Sequence, residues 1–234
     1  MNDYIHVDPR YQSRRWVSFL DLLGFTKLIQ TNDWVHVFTY YSQALDDCIN
    51  KVATFGSTIE KAWFSDTFFL YSSDDTFLSF TEISSVTQSF VESLVCHNIP
   101  VRGAISCGDL YADKENNLFF GEALIEAYYY GENQNWIGFV LTPSCIRQMR
   151  IINRPADQRN DYRYWDIPYK QHSCRRRGKA LEEKLFACIL GGSILGYNAC
   201  LDELRKMAIE FEGTDHITKY KNTIKFIEAH QVKL

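Results

Sequence analysis

The chain of 234 residues contains only five prolines, 12 glycines and three methionines, which excludes collagen-like and low-complexity architectures. None of its apolar runs approaches the ~18 residues of a membrane-spanning helix. Its six histidines never stand at a zinc-binding spacing. Its seven cysteines (Cys48, Cys96, Cys107, Cys145, Cys174, Cys188 and Cys200) form no CxxC pair, so a zinc ribbon or a disulfide framework is excluded. An odd number of scattered cysteines reads as the reduced thiols of a cytosolic protein. Strong charge of one sign is missing too. A net charge of -4 argues against a nucleic-acid coat but permits a local basic pocket for an anionic ligand. The first residues, "MNDYIHVDPRYQSRR", lack the apolar core of a signal peptide. The expectation is a soluble, cytoplasmic protein with neither membrane nor nucleic acid as partner.

Present instead are 46% hydrophobic and 15% aromatic residues, enough for a substantial core. "WVSFLDL" (16–22) reads as a buried strand. Trp34, Phe38, Tyr41, Leu45, Cys48, Ile49 and Val52 repeat at helical spacing. "STIEKAWF" and "DTFFLYS" read as two strands meeting at Ser65-Asp66. A helix through Phe80, Ile83, Val86, Phe90 and Leu94 follows the cap-like "SSDD". Strands are expected at "VRGAISCGDLY" (101–111), "NNLFFG" and "WIGFVLT" (136–142), the last closed by Pro143, with a helix at "GEALIEAYYY" (121–130). This order favours an α+β fold with a mostly antiparallel sheet. Residues 1–150 are expected to form the main domain. Residues 151–234, with the basic run Arg175-Arg176-Arg177 and a helical stretch from Lys179 to Phe211 broken at Gly191-Gly192, are expected to form a mostly helical extension packed on it.

Two acids stand where burial is otherwise wanted. Asp21 lies at a strand exit and Asp66 at a hairpin tip, and an unpaired carboxylate in either place is costly. Carboxylates from two strands, with no histidine or cysteine beside them, suit hard divalent cations. "DLLGF" leads from strand into a glycine-containing turn, whose N–H groups can face phosphate oxygens. The simpler alternative makes Asp21 a helix cap and Asp66 a turn residue.

"FLDLLGF" resembles the F-x-D-x-x-G-F signature that opens the catalytic domain of class III nucleotide cyclases. "FSDTF", "RGAISCGDLY", "FGEALIEAY" and "NWIGFVL" follow in the family's order. Together they look most like the bacterial pyrimidine cyclases of anti-phage Pycsar systems, and "KYKNTIKFIEAH" resembles their carboxyl-terminal tail. The resemblance implies a ferredoxin-like cyclase domain in a head-to-tail homodimer, each site built from both protomers. It implies conversion of UTP or CTP to a 3',5'-cyclic nucleotide and pyrophosphate, using two Mn²⁺ or Mg²⁺ ions, with a separate effector protein reading the product. Asp21 and Asp66 would be the metal aspartates and the Leu22 carbonyl a further ligand. Phe19, Leu23, Gly24 and Phe25 would line the triphosphate site, mainly through backbone groups.

The chain departs from the family's purine-reading pattern. Ala62 and Leu118 stand where purine cyclases carry base-reading polar residues, with Lys61 one position away from the first. The transition-state Asn and Arg of the family fall, by counting from Gly121, at Ile125 and Tyr129. Arg102, Asn135 and Arg147 are the candidate replacements. Two rival readings remain open: a silent nucleotide-binding relative, and a purine cyclase with an unusual base pocket.

Overall fold

The computed structural model describes residues 8–25, 30, 34–53, 59–170, 180–193 and 196–230. Strand β1 (Gln12–Leu22) forms where apolar residues alternate between two faces. Trp16, Leu20 and Leu22 enter the larger core, while Val17 and Phe19 enter a smaller one. Asp21 extends the row of Val17 and Phe19. Helix α1 (Trp34–Ala53) leads to the hairpin β2 (Glu60–Phe64) and β3 (Thr67–Tyr71). Ser65 turns the hairpin at φ 57°, and its carbonyl accepts the Trp63 indole N–H at 2.6 Å. Helix α2 (Phe77–Cys96) is capped by Thr76, whose hydroxyl accepts from Ser79 N–H. Asp74 in turn accepts from the hydroxyls of Thr76 and Ser79, which holds the capping hydroxyl in place over the Ser79 N–H, one of the first turn's free donors.

Strand β4 (Val101–Asp113), strand β5 (Leu118–Phe120), helix α3 (Glu122–Asn133) and strand β6 (Gly138–Leu141) follow. The sheet begins β2-β3-β1-β4, antiparallel throughout, with β5 on β4 and β6 parallel to β4. The run β1, α1, β2, β3, α2, β4 is the ferredoxin-like order that the sequence led us to expect. Tyr41 and Leu45 of α1 pack with Phe80, Ile83 and Phe90 of α2 in the larger core. Ala123 and Ala127 of α3 cover the smaller one, beside Val17 and Phe19. Glycines let α3 lie close to the strands. A Cβ at Gly131 would stand 2.8 Å from the Phe19 ring and 3.3 Å from Gly103 Cα.

Beyond β6 the structure corrects the sequence-based expectation. Pro143 does more than close a strand: it opens helix α4 (Pro143–Ile151), with Thr142 as its cap. Proline's missing N–H costs nothing in that first turn. Strands β7 (Tyr162–Asp166) and β8 (Lys184–Cys188) then extend the same sheet as β4-β6-β8-β7. The helix expected from Lys179 to Phe211 is therefore wrong over 184–188. Leu185, Ala187 and Cys188 are buried there, and β8 is paired on both sides by β6 and β7, so sheet pairing overrides the helix-forming residues of "LEEKLFAC". One sheet thus draws strands from both sides of residue 150. Lys179 and the run Arg175-Arg176-Arg177 lie outside the described residues.

Helices α5 (Tyr197–Glu210) and α6 (Ile217–His230) end the described chain. Tyr220, Phe226 and Ile227 of α6 are buried, and Phe226 meets Trp136 edge-on at 5.2 Å. Among the described residues no helix is long and apolar enough to cross a membrane, and Cys96, Cys107, Cys145, Cys188 and Cys200 are thiols outside any disulfide.

Candidate active site

The exit of β1 forms one wall of an open cleft of about 430 Å³, lined by Asp21, Leu22, Gly24, Asp66, Arg102 and Glu132 among others. Cross-strand register builds it. Asp21 stands opposite Thr67 of β3 on one side and Arg102 of β4 on the other, so the hairpin tip carrying Asp66 lies one residue beyond. The Leu22 N–H donates to the Asp66 carbonyl at 2.9 Å, and the Leu23 N–H to the Pro100 carbonyl at 2.8 Å. These two donors are spent on holding the turn. Gly24 and Phe25 carry the remaining N–H groups for a phosphate, and Gly24 adopts φ 83°, which glycine alone takes without strain.

Among the described residues lining the cleft, Arg102 is the one cation, beside Asp21, Asp66 and Glu132. Its Nε and Nη2 donate to Asp21 Oδ2 at 2.8 and 2.6 Å, and its Nη1 donates to the Gln134 carbonyl at 2.9 Å. The pair is 7% and 14% exposed. Burial raises the Asp21 carboxyl above its ordinary range, against the opposing pull of Arg102, and Asp66 pushes it further up. Both guanidinium bonds fall on Oδ2, which leaves Oδ1 without a hydrogen-bond donor among the described residues. Asp21, Asp66 and the Leu22 carbonyl offer oxygen donors only, the set preferred by Mg²⁺ and Mn²⁺. No larger cluster of His, Cys, Asp and Glu comes together among the described residues. The donor chemistry fits a hard divalent cation that shares Asp21 with Arg102.

Phe19 and Leu23 also line this cleft. Phe25 lines a neighbouring cavity of about 230 Å³, between the Leu23–Gly24 turn and residues of α5 and α6. Lys61 and Ala62 lie on the edge strand β2, where Lys61 is ion-paired with Asp46 of α1 and Ala62 stands opposite Phe69; neither lines the cleft. Ile125 is 55% exposed, and the Tyr129 hydroxyl is buried without a partner among the described residues. Arg147 lines a separate cavity with Arg14, Glu122 and Glu126. Asn135 is held by its backbone to Pro168 and Asn222. Of the three candidate replacements, only Arg102 reaches the cleft.

Sequence reasoning missed Tyr128 and Glu132, which α3 directs into the cleft one turn apart; Tyr128 meets Phe19 edge-on at 5.2 Å. Their spacing of four was readable, but the face they occupy depends on the close seating of Gly131.

No family model matches the chain, and no curated protein matches it. Solved structures do. The catalytic core of a rhodopsin-guanylyl cyclase with converted specificity, in complex with ATPαS, superposes with a TM-score of 0.57 at 10% identity, over 75% of this chain and 96% of that one. A non-canonical dimeric guanylyl cyclase domain from the aquatic fungus Blastocladiella emersonii gives 0.56 at 12% identity, over 76% and 97%. An adenylate/guanylate cyclase/hydrolase from Silicibacter pomeroyi gives 0.51 at 12% identity, over 76% and 97%. The chain has the fold of a class III nucleotide cyclase domain. This agrees with the α+β, mostly antiparallel architecture expected from the sequence.

Proposed function

We propose that the chain is a pyrimidine nucleotide cyclase that converts UTP or CTP to the 3',5'-cyclic nucleotide and pyrophosphate, as the signal generator of a bacterial anti-phage system whose product a separate effector reads. The observation that carries the reading is the meeting of Asp21 and Asp66 in one cleft beside a glycine turn, on the cyclase fold. Asp21, Asp66 and the Leu22 carbonyl would hold Mn²⁺ or Mg²⁺. Such ions, when bound, acidify the ribose 3'-hydroxyl and neutralise phosphate charge. The 3'-hydroxyl gives up its proton to solvent, its oxygen forms a bond to the α-phosphorus as the bond to the β-phosphate oxygen breaks, and pyrophosphate leaves with that electron pair. Arg102 would stabilise the charge that builds up, and the Gly24 turn would orient the phosphates.

Ala62 and Leu118 offer no polar group for a purine base, which supports the smaller substrate. Exposed Phe64, at 81%, with Phe120, Ile125 and Tyr128, supports a homodimer that buries them. A second reading, a silent nucleotide-binding relative, is favoured by Ile125 and Tyr129, which cannot donate as an Asn and an Arg do. Incubation with each of the four ribonucleoside triphosphates and Mn²⁺ separates them. Cyclic pyrimidine product is expected. A purine product would overturn the substrate assignment, and binding without any product would favour the silent reading.

A further inference from the structure

The cavity of about 230 Å³ lined by Phe25 shares a wall with the cleft, since Leu23 and Gly24 line both spaces. Its other walls come from elements far apart in the sequence. Tyr41 of α1, Met207 near the end of α5, Phe211 just after that helix and Tyr220 of α6 meet there. Tyr220 stacks on Phe211 at 5.2 Å and 16°, and Tyr41 meets Phe68 edge-on at 5.9 Å. The aromatic walls are thus held by packing.

Two features give this space its chemistry. Tyr41 and Tyr220 are only 1% and 3% exposed, yet neither hydroxyl makes a hydrogen bond among the described residues. Buried polar groups are ordinarily paired, and the cavity is the space that both tyrosines line. The other feature is charge. Glu210, exposed at the last position of α5, is the one charged residue among the described residues lining the cavity, and the carbonyls at that helix end add partial negative charge. Aromatic faces and a carboxylate both attract a cation. An anion finds no opposite charge here. Ring-sized molecules occupy apolar cavities of about 150 Å³, so the volume admits one aromatic ring with a short arm.

We infer that this cavity is a second ligand site, which takes a small organic cation: one aromatic ring carrying a primary ammonium. The ring lies among Phe25, Tyr41, Phe211 and Tyr220, and the ammonium donates to Glu210 and to a tyrosine hydroxyl. The inference does not depend on the cyclase reading, because amine binding stands or falls whether or not a triphosphate is cyclised.

The test is calorimetric titration of the full chain with 2-phenylethylamine, beside its neutral and anionic counterparts 3-phenylpropan-1-ol and 3-phenylpropanoate. The amine should bind saturably, the alcohol about tenfold more weakly, and the propanoate not at all. Glu210→Gln, a change at an exposed position, should weaken the amine about tenfold, the loss of one charge-assisted contact. Tyr220→Phe should weaken it severalfold while leaving the thermal midpoint of the unliganded chain unchanged, since its hydroxyl has no hydrogen bond to lose. Asp66→Asn should leave amine binding as it is, which keeps the acids of the cleft out of the result. No saturable binding of the amine would leave the hydroxyls to water and overturn the inference. So would propanoate binding as tight as the amine's, amine binding unaltered by both Glu210→Gln and Tyr220→Phe, or amine binding lost in Asp66→Asn but kept in Glu210→Gln.

Discussion

Replacing Arg102 with methionine removes the cation that the cleft is built around while keeping an unbranched chain of similar reach. The two bonds to Asp21 Oδ2, at 2.8 and 2.6 Å, and the bond to the Gln134 carbonyl at 2.9 Å all disappear. Asp21, 14% exposed, is left as a carboxylate without its counter-ion. Breaking a buried pair from one side costs about 3–5 kcal/mol, most of it the penalty of the stranded charge. Equilibrium urea unfolding at neutral pH measures this. The double variant Arg102→Met/Asp21→Asn should lose far less than the two single losses added together, because it strands no charge. Arg102 also competes with any cation for Asp21, so Mn²⁺ should bind more tightly to Arg102→Met than to the unmodified chain, read by paramagnetic resonance of free Mn²⁺. A loss below about 1 kcal/mol, strictly additive variants, or unchanged Mn²⁺ affinity would refute the reasoning.

Other predictions concern the same cleft. Asp66→Asn should abolish turnover while leaving the unfolding midpoint nearly unchanged, since the turn is held by the Asp66 backbone carbonyl; retained activity would remove Asp66 from the metal site. Burial raises Asp21 above its ordinary 3.8, so the folded state holds this proton more tightly than the unfolded chain. Its contribution to stability is full below that value and is lost as pH rises through the raised one. In metal-free buffer Asp21→Asn should therefore gain on the unmodified chain across that interval, measured by thermal unfolding against pH; a parallel pair of curves would contradict the shift. Gly24→Ala forces a side chain into φ 83° and should cost about 1 kcal/mol of stability while raising KM for the triphosphate. Lys61→Ala breaks only an exposed pair with Asp46 and should change stability by less than about 1 kcal/mol.

The first half of the fold was legible because its signals are local. Alternation along "WVSFLDL", helical spacing from Trp34 to Val52 and the polar cap before Phe77 each act over a few residues. Strand β8 was not legible, since "KLFAC" becomes a strand only through pairing with β6 and β7, which lie far away in the chain. Helix α4 was missed because a proline after an apolar run ends a strand and opens a helix equally well. At the site, Asp21 and Asp66 were readable as acids out of place. Their neighbours were not. Arg102 meets Asp21 only through the β1–β4 register, and Glu132 reaches the cleft only once α3 is seated.

The most direct measurement is phosphorus magnetic resonance of UTP, and separately of CTP, incubated with the unmodified chain and with Asp66→Asn in Mg²⁺. The account predicts that the three triphosphate resonances give way to one cyclic phosphodiester and pyrophosphate with the unmodified chain, and persist with the variant. Persistence of the triphosphate with both proteins, or equal conversion by both, would contradict it.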